Sequence, residues 1–280
     1  MKKLITIVAV ATLLITTMHS QTLKIMTYNI RLDTASDGDD RWDKRKDFLA
    51  GQVLFYEPDF MGIQEALPEQ VTFLDAALAD YDHIGVGRDD GKSKGEHSAI
   101  YYNSKKFKVV NQDTFWLSET PDKPTKGWDA AINRVCTYGL FVNVKTKEQF
   151  WVFNTHFDHI GNVARVESAK LILKKIKEIN KQNLPFVLTG DFNLEDNSES
   201  IKLIASQLND SKEVAKQVFG PDGTFNNFQF STPVIKRIDY IFTPKTGIRV
   251  NKYAVLSDSK NCRYPSDHLP VYAELTIEKK

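Results

Sequence analysis

The sequence predicts an α/β fold in which two mixed β-sheets pack face to face with helices outside. Three observations carry this expectation. Short apolar runs of strand type alternate with longer runs of helical spacing along most of the chain. At least one adjacent pair of strands is joined by a tight turn, so the sheets are not purely parallel. The 280 residues contain no repeat, low-complexity tract or linker, which suits one large α/β domain with a sizeable core.

The elements follow in order. "LKIMTYNI" (23–30) reads as a buried strand. "WDKRKDFLAGQVLFY" (42–56) has helical spacing, with Phe48, Val53 and Tyr56 among its apolar positions, and Pro58 ends it. "DFMGIQE" (59–65) is a strand, and "PEQVTFLDAALAD" (68–80) is a helix opened by Pro68. Strands are expected at 81–87, 98–103 and 107–117. A loop with Pro121, Pro124 and Gly127 leads to "TYGLFVNV" and "QFWVFNTHF", a hairpin turned by "KTKE". Residues 163–182 form a lysine-rich amphipathic helix. "PFVLTGDFN", a short helix near 198–208, and strands "RIDYIFT", "VNKYAVLSD" and "LPVYAELTI" complete the chain.

The N-terminus, "MKKLITIVAVATLLITTMHSQ", has a basic start, an apolar stretch from Leu4 to Ile15 and a small polar end. It reads as a signal peptide over 1–20, with Gln21 first in a mature domain of 21–280 and a periplasmic or secreted destination. Its removal takes the formal charge from +1 to −1. That balance excludes the strongly basic footprint of a non-specific nucleic-acid binder. Cys136 and Cys262 are the only cysteines. They could pair in an exported protein, but their separation in space is not legible.

Polar groups recur where the apolar strands end: Asn29, Glu65, His156, Asp191 with Asn193, Asp239, and Asp267 with His268. In "GDFN" the strand alternation would point Asp191 and Asn193 the same way; a plain turn is the competing reading. Six such placements together suit metal-assisted hydrolysis. Hard oxygen ligands favour Mg²⁺ or Mn²⁺, with Ca²⁺ open, and two histidines can act as acid and base. No zinc cluster, serine-hydrolase elbow or P-loop is present.

In this order, "TYNIR", "GIQE", "NTHFDH", "GDFN", "RIDYIF" and "SDHLPV" resemble the endonuclease/exonuclease/phosphatase superfamily. The resemblance implies a four-layer α/β sandwich and a metal-dependent phosphoric ester hydrolase. By that resemblance Glu65 is the main metal ligand, with Asn29 and Asp267 beside it. Asp191 and Asn193 orient phosphate and water. His268 pairs with Asp239 and is favoured as the base. His156 resembles the deoxyribonuclease branch, where the histidine pairs with a glutamate, here Glu96. Arg134 resembles a phosphate-contacting arginine of that branch, and Arg31, in an Asn-Ile-Arg similar to the deoxyribonucleases' where abasic endonucleases carry an acid, is a substrate-binding candidate. Arg88, Trp128, His159 and Arg165 lie in stretches similar to an exported bacterial group and would line the cleft. A phosphodiesterase acting on nucleic acid or another diester is the expected activity. A phosphomonoesterase or a sphingomyelinase-like phospholipase is the alternative, and a non-catalytic binding protein is a third reading. Nucleic acid, if bound, would be bound weakly.

Overall fold

The computed structural model describes residues 22–278; the expected signal segment lies outside them. In chain order the elements are β1 (Thr22–Asn29), a 3-10 segment (Ala35–Asp40), α1 (Trp42–Tyr56), β2 (Phe60–Gln64), α2 (Pro68–Ala77), β3 (Tyr81–Ile84), β4 (Ile100–Asn103), β5 (Phe107–Trp116), β6 (Val135–Asn143), β7 (Gln149–His156), α3 (Asn162–Ile179), β8 (Phe186–Asp191), α4 (Glu199–Gln207), β9 (Leu208–Asp210), α5 (Ser211–Val214), β10 (Gln217–Phe219), β11 (Asp239–Pro244), β12 (Ile248–Val255) and β13 (Val271–Ile277).

The strands form two sheets. One has seven strands in the order β10-β12-β13-β1-β2-β4-β3, the other six in the order β5-β6-β7-β8-β11-β9. At the centre of each lies a parallel pair, β1 with β2 and β7 with β8. A parallel return needs a crossover, and α1 and α3 supply it. Antiparallel strands flank each pair: β13 beside β1 and β11 beside β8. The C-terminal ends of β1, β2, β7 and β8 and the N-terminal ends of β11 and β13 therefore share one edge of the sandwich.

Apolar side chains form three layers of core. Between the sheets Phe60 meets Phe107, Phe141 and Phe150 at ring separations of 4.6, 4.8 and 5.8 Å. Under α1 and α2 lie Met26, Tyr28, Leu49, Val53 and Leu74. Under α3 and α4 lie Phe153, Leu188, Ile172, Ile176 and Ile204. The expected helix–sheet–sheet–helix architecture is the one observed. Burial of Ala164, Ser168, Ala169, Ile172, Leu173 and Ile176 gives α3 its one apolar face.

One polar seam crosses the inter-sheet core just below the site. Asn154 on β7 donates to the carbonyls of Ile63 and Ala99 at 2.8 and 3.0 Å, and accepts from Gln64 Nε2 at 2.7 Å and Thr189 Oγ1 at 3.1 Å. Gly62 admits this contact, since a Cβ there would come within 2.4 Å of Asn154 Oδ1.

Several boundaries differ from expectation. The strand expected over 81–87 stops at Ile84, where Gly85 takes a positive φ of 121°. The helix expected to Asp80 ends at Ala77, where Leu78 leaves helical geometry and is fully buried. The 3-10 segment, β9, α5 and β10 are too short for periodicity to register. Both cysteines are free thiols, Cys136 buried and Cys262 exposed, so the envisaged pairing does not form.

Candidate active site

The shared edge gathers the strand-end residues. Asn29 closes β1. Glu65 follows β2 with φ +65°, a left-handed backbone that is uncommon for glutamate and turns its side chain onto the edge. His156 and Asp191 end β7 and β8 as direct neighbours, and Asp239 opens β11 opposite Asp191. Asp267 and His268 precede β13. Gly190 lets the chains come this close: a Cβ there would lie 2.4 Å from Thr155 O.

Alternation along a strand does not bring Asp191 and Asn193 together. The strand ends at Asp191, and Asp191 Oδ1 then accepts Asn193 N–H at 2.8 Å, with Asn193 at φ +52°. This is an Asx-type turn, so the turn and the site are the same feature. Asn193 Nδ2 donates to His156 Nε2 at 3.0 Å and to Phe157 O at 3.0 Å.

Asn29 Nδ2 bridges Glu65 Oε1 at 3.0 Å and Asp191 Oδ2 at 2.9 Å. Glu65 Oε2 also accepts from Leu32 N at 3.2 Å. Ligand atoms of Glu65, His156 and Asp191 lie within 4.8 Å of one another, as do those of Asp191, Asp239 and His268. This oxygen-rich set fits a hard divalent cation. Asp267 joins it differently from expectation. Arg31 stands between Asp267 and Glu65, 3.8 Å from one and 3.9 Å from the other. Arg31 is held by a two-pronged pair to Asp37 at 2.9 and 2.8 Å, so its guanidinium balances carboxylates. The substrate-binding role expected for it is not what these contacts describe.

Charge is distributed unevenly. His268 Nδ1 lies 2.8 Å from Asp239 Oδ2, and its Nε2 lies 3.8 Å from Asp191. Burial alone would lower its pKa, but Asp239 and Asp191 outweigh burial and raise it to about 10. Burial, then the charges of Arg134 and Arg88, holds His156 well below the ordinary histidine value. Burial and the nearby Asp239 push Asp191 up to about 7. At neutral pH His268 is an imidazolium and His156 is neutral. These states favour the reverse of the family-based assignment of His268 as base.

On the β6 and β7 side, two arginines meet. Arg134 is 4% exposed and donates from Nη2 to His159 Nδ1 at 3.0 Å, while its Nε lies 3.6 Å from Asp158. Arg88 binds Glu96 at 2.6 Å. Among the described residues, Arg134 Nε and Nη1 and Arg88 Nε are buried without a hydrogen-bond partner. Arg88, Arg134 and His159 all act electrostatically on His156. Two expectations change here. Glu96 pairs with Arg88, not with His156, because the segment carrying both doubles back on itself, with Arg88 N–H bonded to Glu96 O. His156 is instead held by Asn193, with Asp191 3.4 Å away.

Trp128 and Arg165 stay on the flank. Trp128 is half-buried at φ +46°, its N–H turned to Glu119. Arg165 bonds Asn162 on its own helix. Asp158 was not singled out from the sequence. It accepts from the N–H groups of Ala131, Ile160 and Gly161 at 3.0, 3.0 and 2.7 Å, and so fixes the loop beside Arg134. Its place in "NTHFDH" was the available signal.

Residues 26–268 match the Endonuclease/Exonuclease/phosphatase family. The chain belongs to this family. A phosphoric ester hydrolase, the enzyme class expected from the sequence, agrees with that membership. Among solved structures it is similar to an endonuclease/exonuclease/phosphatase family protein from Bacteroides thetaiotaomicron, at 42% identity and TM-score 0.90 over 93% of this chain and 100% of the other. It is also similar to a mannosyl-6-phosphatase from Bacteroides thetaiotaomicron VPI-5482, at 44% identity and TM-score 0.87 over 90% and 99%. Among curated proteins it is 29% identical over 167 residues to an uncharacterized protein, L388, of Acanthamoeba polyphaga mimivirus, covering 56% of this chain and 60% of that relative. The chain therefore spans about three-fifths of that relative's length.

Proposed function

We propose that this member of the endonuclease/exonuclease/phosphatase family is a divalent-metal-dependent phosphomonoesterase acting on a small phosphorylated hydroxyl compound, such as a sugar phosphate. The observation that carries this reading is the pair Arg88 and Arg134, whose buried Nε atoms and Arg134 Nη1 have no hydrogen-bond acceptor among the described residues, the nearest carboxylates to the two Nε atoms lying 3.6 Å (Asp158) and 3.9 Å (Asp89) away. Buried donors without acceptors are costly, and a guanidinium fork matches phosphate oxygens. A monoester presents more charge and more terminal oxygens than a diester. The similarity to a mannosyl-6-phosphatase over nearly both whole chains supports the same reading.

In this reading Glu65 and Asp191 would hold Mg²⁺ or Mn²⁺, which would neutralise phosphoryl charge when bound; Asn29, expected as a ligand, instead donates from Nδ2 to both carboxylates while its Oδ1 accepts from Arg31 N–H at 3.0 Å, and so orients them. Asp191 takes the proton from the attacking water. Asn193 and Asp191 hold the turn that aims them both. The His268 imidazolium, oriented by Asp239, gives its proton to the departing alkoxide oxygen as the P–O bond breaks. Arg88 and Arg134 bind the terminal oxygens.

The phosphodiesterase expected from the sequence is the second reading, and the neutral state of His156 favours it: an uncharged imidazole 3.4 Å from Asp191 adds nothing to the holding of a dianionic monoester. Comparing kcat/KM for an aryl phosphomonoester and the matching diester with one metal separates the two. A monoester preference of about tenfold or more, ~1.4 kcal/mol, is expected; a diester preference of that size would reverse the conclusion. Activity should be lost with EDTA, return with Mg²⁺ or Mn²⁺, and be absent in Glu65→Ala with the circular-dichroism spectrum unchanged. We further propose export to the periplasm or medium through residues 1–20, which N-terminal sequencing of the mature protein from its native host would test. No helix among the described residues is long and apolar enough to cross a membrane.

A further inference from the structure

Arg45 stands on the buried face of α1, within the charged run "DKRKD" (43–47). It is 4% exposed. Its guanidinium makes no carboxylate pair among the described contacts. It donates four hydrogen bonds, all to backbone carbonyls: Nε to Asp40 at 2.9 Å, Nη1 to Ile30 at 2.5 Å and to Pro265 at 3.0 Å, and Nη2 to Arg31 at 2.8 Å. The rings of Trp42 and Phe228 lie 5.1 and 5.7 Å from its Cζ.

Each of these partners adjoins a residue of the acidic centre. Ile30 and Arg31 follow Asn29. Pro265 lies two residues before Asp267. Asp40 closes the 3-10 segment that carries Asp37, the partner of Arg31. Phe228 belongs to the loop whose Asn226 and Asn227 N–H groups bond Asp267 O at 2.8 and 3.1 Å. The 30–40 stretch is far in sequence from 226–228 and 265–267, and among the described residues Ser266 Oγ, which donates to Asn29 O at 2.7 Å, is a further tie between the 29–31 and 265–267 segments. A buried charge without a counter-ion is expensive unless many hydrogen bonds satisfy it. The rigid five-donor fork of arginine can reach three separate segments at once, and lysine cannot.

We propose that Arg45 is a positioning residue of the metal centre, fixing the distance between the Asn29 and Glu65 side and the Asp267 side through the main chain. It touches neither substrate nor cation. The proposal rests on the metal-dependent reading above and assigns the device that holds that site in shape.

Isothermal titration of the full protein with Mn²⁺ tests it. Arg45→Lys keeps the charge and loses the fork, and Arg45→Gln loses both. Leu49→Ala, on the same helix and in the core, controls for lost stability. Mn²⁺ should bind Arg45→Lys about 10–100-fold more weakly, the scale of outer-shell substitutions at metal sites, and saturating Mn²⁺ should restore turnover toward wild type. Leu49→Ala should melt earlier and keep wild-type Mn²⁺ affinity. Wild-type protein that binds Mn²⁺, with Arg45→Lys and Arg45→Gln within twofold of it, would overturn the role of Arg45 alone. Wild-type protein that binds no Mn²⁺ would overturn the metal reading and this role with it.

Discussion

At the scale of single residues, the site works by opposed charge states in a small volume. His268 and His156 both lie near Asp191, yet one is driven to imidazolium and the other to neutral imidazole. The difference is the second neighbour: Asp239 for His268, Arg134 and Arg88 for His156. Because the folded pKa of His268 is raised, the stability it contributes is present in full below the unfolded value of about 6.5 and is lost as pH rises through about 10. Asp239→Asn should therefore lower the His268 pKa, read from its ring-proton NMR titration, and should destabilise the protein more at pH 6 than at pH 10.5. Equal urea midpoint shifts at the two pH values would sink this account. Glu96 offers a second test at this scale. Since it orients Arg88, Glu96→Ala should raise KM several-fold while leaving kcat much closer to wild type than His156→Ala does. A matched loss of kcat in the two variants would restore the pairing of Glu96 with His156.

At the scale of elements, the site depends on how strands terminate. Strand β8 passes so close to β7 that only a residue without Cβ fits at 190. Gly190→Ala would press a methyl group against Thr155 O, a main-chain atom of the neighbouring strand that cannot swing away. A cost of about 1–3 kcal/mol is expected from such overpacking, together with displacement of Asp191 and a large fall in kcat. Wild-type melting temperature and kcat in Gly190→Ala would show that the approach is looser than described. The positive φ values of Arg31, Glu65 and Asn193 belong to the same theme. Each sits at or just past a strand end, where the chain leaves the ladder and aims a side chain across the edge.

At the scale of the whole molecule, the two sheets must keep one register for the edge to form. Half of the candidate site comes from each: Asn29, Glu65 and the 266–268 segment from the seven-stranded sheet, His156, Asp191 and Asp239 from the six-stranded one. Asn154 ties β7 to β2 and to Ala99, the residue before β4, through buried hydrogen bonds, a directional contact inside a largely apolar interface. Asn154→Ala should cost roughly 2–4 kcal/mol, because several buried polar groups lose a partner together. It should also lower Mn²⁺ affinity, since Glu65 follows the strand it anchors. Differential scanning calorimetry and Mn²⁺ titration check both; a variant as stable as wild type would remove Asn154 from this role.

The sequence by itself determined the alternation of strands and helices, the edge to which polar strand ends would come, and the identities of Asn29, Glu65, His156, Asp191, Asn193, Asp239, Asp267 and His268. Local pattern carries these because apolar periodicity sets each element and a polar residue at its end interrupts that period. Only the tertiary structure decided the pairings. Glu96 finds Arg88 through a loop that folds back on itself, and Arg31 turns to Asp37. Arg45 points inward on the same face of α1 as Leu49 and Val53. No sequence period encodes these contacts, because they join segments brought together by sheet packing, where the shape and hydrogen-bond geometry of each neighbour select the partner.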